Sequence, residues 1–286
     1  MAEMSFWDHL DELRRVLFRV IGVWIVLAII YFIAMDKIFD SIILAPTKDN
    51  FAFYNLLKYI GDTFNLEDDF FTSEFNIHLI NYNLASQFFI HISTAFWLSV
   101  VTAVPYAIYE IWGFIRPALY TNEKKGVQKA LLLGSVMFFI GVLVGYFMVF
   151  PLALRFLSNY QLSDVIQNHL SLDSYIDNFM MLILCMGLAF ELPLVTWLLS
   201  ILGVVNKQFL RKYRRHAIVV IVILAAVITP TGDPFTLSVV AIPLYLLYEM
   251  SILMIKEKKE EEEEIDSNDE EDETKAIADS KSSDED

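Results

Sequence analysis

Apolar runs long enough to cross a membrane recur along this chain, and they constrain its fold more than any other feature. The clearest covers residues 130–154, which contain no acidic or basic side chain. About 20 apolar residues in a helix span a hydrocarbon core roughly 30 Å thick. Further apolar runs cover residues 16–35, 84–108, 175–205, 216–229 and 235–255. In lipid every backbone polar group needs an internal partner, so isolated runs of this kind must be helices. The order predicts an all-α membrane protein, with one domain of six transmembrane helices over residues 16–255. Residues 1–15 read as an amphipathic segment at the membrane surface, with Phe6, Leu10, Leu13 and Leu17 near one face. Residues 256–286 read as a disordered acidic tail.

The charge pattern orients the helices. The tail holds 16 acidic residues and 5 lysines, so −11 of the net −15 lies there and not in the membrane body. Neither part is basic enough for a nucleic-acid binder. One side of the membrane carries Arg14, Arg15, Arg19, Arg116, Lys124, Lys125, Lys129, Lys207, Arg211, Lys212, Arg214 and Arg215. The other has only Lys37, Lys48, Lys58 and Arg155. The positive-inside rule makes the first side cytoplasmic, and six spans put both termini there. Arg14-Arg15 ahead of an apolar run also fits a signal peptide. That run is too long for a signal core, however, and no small-x-small cleavage site follows.

Two spans read as short. The fifth has about 14 apolar residues, or roughly 21 Å of helix at 1.5 Å per residue. The sixth is apolar only over residues 235–248, before Glu249, and contains Pro243. Lipid meets such mismatch by thinning locally, or the segment packs against protein instead.

Polar residues inside apolar runs are the candidate sites. Glu191 sits between Phe190 and Leu192 in the fourth run, close to Pro193. An intramembrane acid must face a polar cavity, meet a partner or be protonated against a neighbouring helix. Gln87 and His91 share one face of the second span, where hydrogen bonds between helices account for them. A proton relay from His91 to Glu191 is the sharper alternative. Gly141 and Gly145 form a GxxxG, with Gly134 seven residues before, which reads as close packing within the bundle, with a dimer contact as the alternative. Cys185 has no partner for a disulfide and reads as a small core residue. Glu12 lies three residues from Arg15, a spacing that by default neutralises a charged helix face. Glu123 is an isolated acid beside Lys124 and Lys125. No Ser-His-Asp set, HExxH, Walker motif or CxxC is present, so the chain reads as neither an enzyme nor a protein with a metal or other cofactor.

Several separated segments together resemble one family. His9-Leu10-Asp11-Glu12-Leu13-Arg14 is similar to the HLxELR start of TatC proteins. Trp112-Gly113-Phe114-Ile115-Arg116-Pro117-Ala118-Leu119-Tyr120, followed by Glu123, resembles that family's WxFxxPxLYxxE signature. Phe190-Glu191-Leu192-Pro193 resembles its FExP. Thr229 to Asp233, and Ala241 to Tyr245 with Glu249, resemble its last loop and sixth helix. Val16 stands where the family often carries a second basic residue, with Arg15 and Arg19 on either side.

The resemblance implies the receptor core of a twin-arginine translocase, exporting folded proteins across the plasma membrane with the proton-motive force. It implies a concave, cup-shaped bundle that binds signal peptides through Glu12 and Glu123. Glu191 would face the concave side as a polar site for partners. Arg14, Trp112, Pro117 and Asp233 are further family-matched positions. Implied partners are twin-arginine signal peptides, small single-span subunits of the TatA and TatB type, lipid and further copies of the chain. A guanidinium forms two parallel bonds to a carboxylate, which a lysine cannot, so paired carboxylates suit paired arginines. A solute transporter is the rival class, but the broken fourth run has no counterpart in the first three, as repeated halves would require. A membrane scaffold would account for the GxxxG but not for the ordered motifs.

Overall fold

The computed structural model describes residues 6–64, 77–115, 124–163, 168–201, 203–229 and 232–255. The helices are α1 (Phe6–Ile38), α2 (Ala52–Phe64), α3 (Ser86–Ile115), α4 (Lys124–Val144), α5 (Phe150–Asn159), α6 (Leu172–Ala189), α7 (Leu192–Ile201), α8 (Lys207–Lys212), α9 (Arg214–Ile228) and α10 (Pro234–Met254). A π turn, Gly145–Val149, joins α4 to α5, and together they make the third span. Pro151 has no N–H for the Phe147 carbonyl, and the ladder widens to π spacing in the turn just before it. The fourth span is α6 and α7, broken at Phe190 and Glu191.

Among the described residues, five segments are long and apolar enough to cross a membrane, and the 15-residue α9 falls short of that length. It covers about 22 Å at 1.5 Å per residue. The sixth span is a helix of 21 residues, longer than its apolar part. Glu249, near its end, pairs with Arg214 at the start of α9, Oε2 to Nη2 at 2.7 Å. That ion pair bounds the apolar thickness of both helices at the same level.

Two boundaries differ from the expectation. Residues 6–15 are not a separate surface helix but the first turns of α1, a continuous helix of 33 residues. Nothing between Phe6 and Ile21 breaks it, since the stretch holds neither glycine nor proline. The second span runs on through Glu110 to Ile115, past the end of the apolar run at residue 108. The 256–286 tail lies outside the described residues.

The spans form an open row. α1 packs on α3, α3 on α4 and α6, α7 on α10, and α10 on α9. Among the described residues, α1 and the α9–α10 pair share no substantial contact. The centre of the row is the contact of the third and fourth spans. A Cβ at Gly141 would lie 2.6 Å from the Met186 carbonyl oxygen, and one at Gly145 3.2 Å from Ile183 Cα. From the other side, a Cβ at Gly187 would lie 2.8 Å from Phe138 Cε2. These glycines bring two backbones together inside one chain, as expected of the GxxxG.

On the side away from the basic loops, the segment after α1 is stapled to the bundle. The Tyr146 and Tyr54 hydroxyls donate to the Ile42 and Pro46 carbonyls, each at 2.8 Å, and that of Tyr175 donates to Ile43. Arg155, fully buried, lies with its guanidinium carbon 5.4 Å from the Tyr54 ring centre. A two-stranded parallel ladder pairs β1 (Leu79–Ile80) with β2 (Leu170–Ser171), Leu79 opposite Leu170. It ties the segment before α3 to the segment before α6.

Gly141→Val should overpack the central contact and lower stability by about 1–3 kcal/mol, read as a lower thermal midpoint in detergent. Single cysteines along residues 216–229, in a chain with Cys185 replaced by Ser, should be shielded from aqueous maleimide over only about 20 Å of helix. A shielded stretch of full bilayer width would refute a thinned membrane at this pair.

Candidate functional site

Pro193 creates the break in the fourth span. It lacks an N–H and its ring crowds the Ala189 carbonyl, so the ladder cannot continue through it. Phe190 N–H still bonds Met186 O, and Glu191 N–H turns back to Leu188 O at 3.1 Å. The chain resumes as helix when Val195 N–H reaches Glu191 O at 2.9 Å. The break carries the Glu191 side chain against the third span at Gly134. A Cβ at Gly134 would lie 2.9 Å from Glu191 Oε2 and 2.4 Å from Leu194 Cδ2. Gly134 is thus what makes room for the carboxylate. Glu191 Oε1 is buried and has no hydrogen-bond partner among the described residues. An acid bonded through that oxygen to a neighbouring helix is not what this geometry shows.

His91 is engaged elsewhere. Its Nε2 lies 2.8 Å from the Phe32 carbonyl of α1, and its ring sits 4.2 Å from that of Phe32. It therefore joins α1 to α3, with Gln87 lining the same cleft of about 500 Å³ beside Met35 and Asp36. This is the interhelical hydrogen bond expected of a polar residue in a span.

Near the basic end of α1, Glu12 sits in a cluster that joins two spans. Its Oε2 lies 3.5 Å from Arg15 Nη1 and its Oε1 3.6 Å from Arg19 Nη2. The pairing with Arg15 is the self-neutralised face that the spacing suggests. Arg19 also reaches across to α3, where its Nη2 lies 3.0 Å from Glu110 Oε2. The Tyr106 hydroxyl donates to Glu110 Oε1 at 2.7 Å. Glu110 and Tyr106 are not among the candidate positions marked by the sequence motifs. The signal was present, because Tyr106 and Glu110 stand four apart on one helical face, as do Tyr245 and Glu249. The second pair repeats the geometry, with the Tyr245 hydroxyl 3.0 Å from Glu249 Oε1 and Arg214 on the other oxygen.

The remaining expected positions divide. Arg14 is exposed, with its guanidinium carbon 5.5 Å from the Phe18 ring centre. Asp233 caps α10, its Oδ1 accepting from Thr236 N–H at 2.7 Å with Pro234 in the first helical turn. Trp112 lies on α3, and its side chain is outside what the structure describes. Glu123 and Pro117 lie outside the described residues altogether. The structure therefore brings Glu12 to Glu110 and Glu191 to Gly134. Asp233→Ala should lower stability by about 1 kcal/mol, the usual worth of an N-cap, seen as a lower thermal midpoint. Asp233→Asn should keep most of that stability.

Known proteins share this architecture. The family model described as Sec-independent protein translocase protein (TatC) matches residues 8–243. A protein of that name from Blattabacterium sp. subsp. Periplaneta americana is 36% identical over 251 residues, covering 87% of this chain and 94% of the relative. The one from Deinococcus radiodurans is 33% identical over 259 residues, covering 89% and 86%. Two crystal structures of the twin-arginine translocase receptor TatC superpose with TM-scores of 0.66 and 0.69, at 32% and 31% identity. They cover 86% and 87% of this chain, and it covers 96% and 99% of theirs. By sequence and by fold, this integral membrane protein belongs to the TatC family.

Proposed function

We infer that this chain is the signal-recognising core subunit of a twin-arginine, Sec-independent translocase, which exports folded proteins using the proton-motive force. The observation that carries the reading is the family match, which runs from residue 8 in α1 to residue 243 in α10. The activity is one of binding and assembly, with no bond made or broken by this chain.

The basic side is the cytoplasmic side of the plasma membrane, and both termini lie there. The excess of Lys and Arg in the segments on that side supports this orientation. Signal peptides bind on the same side through Glu12 and Glu123. Glu12 stands near the basic end of α1 with its side chain 37% exposed, so an incoming guanidinium can reach it. Two carboxylates at one surface take two adjacent arginines by charge-assisted, bidentate bonds. Glu191 serves the single-span partner subunits. A buried carboxylate oxygen with no partner among the described residues gains most from a polar group that another helix brings to it. Further copies of the chain complete the receptor complex.

The test is binding of a fluorescent twin-arginine signal peptide to the full chain in detergent. Affinity should fall about tenfold or more when the peptide's arginine pair becomes a lysine pair, because the bidentate bonds are lost. Glu12→Ala and Glu123→Ala should each produce a loss of similar size. Equal binding in all cases would reject these two residues as the recognition site.

A further inference from the structure

The cluster between α1 and α3 holds two arginines of this chain against the carboxylate assigned to signal capture. Arg15 Nη1 and Arg19 Nη2 approach different oxygens of Glu12, at 3.5 and 3.6 Å. Each oxygen that a signal arginine would use therefore already faces a guanidinium. Arg19 has a second and closer carboxylate in Glu110, at 3.0 Å. The Glu110 side chain is 11% exposed, against 37% for Glu12, and the Tyr106 hydroxyl holds its other oxygen.

The two contacts of Arg19 are unequal for a physical reason. The Glu110 contact is shorter and mostly out of water, where a charge-assisted bond is strong. The Glu12 contact is longer and lies in solvent, where such pairs are weak and screened by salt. Arg19 can release Glu12 and keep Glu110. The reverse exchange would leave a nearly buried carboxylate without its counter-charge, which is strongly unfavourable.

We propose that Arg19 is an internal competitor for Glu12, retained by Glu110 when an arginine of the signal peptide takes its place. The proposal rests on the signal-capture reading above and deepens it. A competitor at the site lowers the affinity of every cationic ligand by the same factor. Weak ligands then fall below useful occupancy while a twin-arginine ligand stays above it. Arg19 thus sets a threshold for binding, and Glu110 sets how high that threshold stands.

The experiment uses the full chain in detergent and two fluorescein-labelled synthetic peptides. One carries an adjacent arginine pair ahead of an apolar segment, and the other a lysine pair. Arg19→Gln should tighten both peptides about two- to fivefold, the range an exposed ion pair supports, and leave their ratio unchanged. Glu110→Gln should weaken both by a similar factor, because Arg19 then stays on Glu12. In an Arg19→Gln background, Glu110→Gln should have no effect. Arg19→Lys keeps the charge and loses the fork, so its affinities should fall between wild type and Arg19→Gln. It also carries the test if Arg19→Gln fails to fold.

Unchanged or weaker binding by Arg19→Gln, with the wild-type preference for arginine intact, would overturn the competitor alone. So would an Arg19→Lys variant that matches wild type, which would point to long-range charge instead. A loss on Glu110→Gln that persists without Arg19 would mean that Glu110 touches the peptide directly, and would also overturn it. A wild-type chain that does not distinguish the two peptides would remove the signal-capture reading, and the competitor with it.

Discussion

The close approach of the third and fourth spans is the constraint on which the rest of the structure depends. Lipid is as apolar as leucine, so burying apolar side chains does not drive helices together in a membrane. What remains is contact, and contact is greatest where side chains are absent. Gly141 and Gly145 face Met186 and Ile183, and Gly187 admits the Phe138 ring. The other spans attach to this centre in sequence. α3 lies against both α4 and α6 and carries α1, while α10 lies against α7 and carries α9.

Polar clamps hold the two end helices of the row. Tyr106 and Glu110 on α3 hold Arg19 of α1. Tyr245 and Glu249 on α10 hold Arg214 of α9. In both, a tyrosine four residues before a glutamate fixes one carboxylate oxygen and leaves the other for an arginine on the neighbouring span. The arrangement suits the two end helices of the row, since α1 leaves most of its apolar surface exposed and α9 is short. On the opposite side, Tyr54, Tyr146 and Tyr175 hold residues 42–46 through backbone carbonyls. Aromatic hydroxyls suit that level, where one end of the side chain is apolar and the other meets polar groups.

The Glu191 break combines two local devices. Pro193 ends the hydrogen-bond ladder of α6, and Gly134 on the facing helix leaves space for a carboxylate. Neither device alone would present an acid at this depth. A leucine at position 134 would fill the space, and an unbroken helix would not release the turn at Phe190 and Glu191. The same glycine stripe therefore supports both the central contact and the polar site.

The number and order of the apolar runs, the short fifth helix, the break at Pro193 and the packing role of the glycines were legible in the sequence. Each depends on residues near one another in the chain, and hydrophobic period, proline chemistry and the absence of a Cβ act locally. The family was legible for the same reason, since its motifs are short and contiguous. The partners of Arg19 and Arg214 were not legible, because Glu110 and Glu249 lie on other spans. The stapling of residues 42–46 by three tyrosines from separate elements was hidden in the same way. The absence of glycine and proline after Phe6 pointed to an unbroken α1, but the charged residues there obscured it. Charge type and helical face are properties of the sequence. Which opposite charge a long arginine side chain reaches depends on how two helices lie against each other, and only the packed bundle decides that.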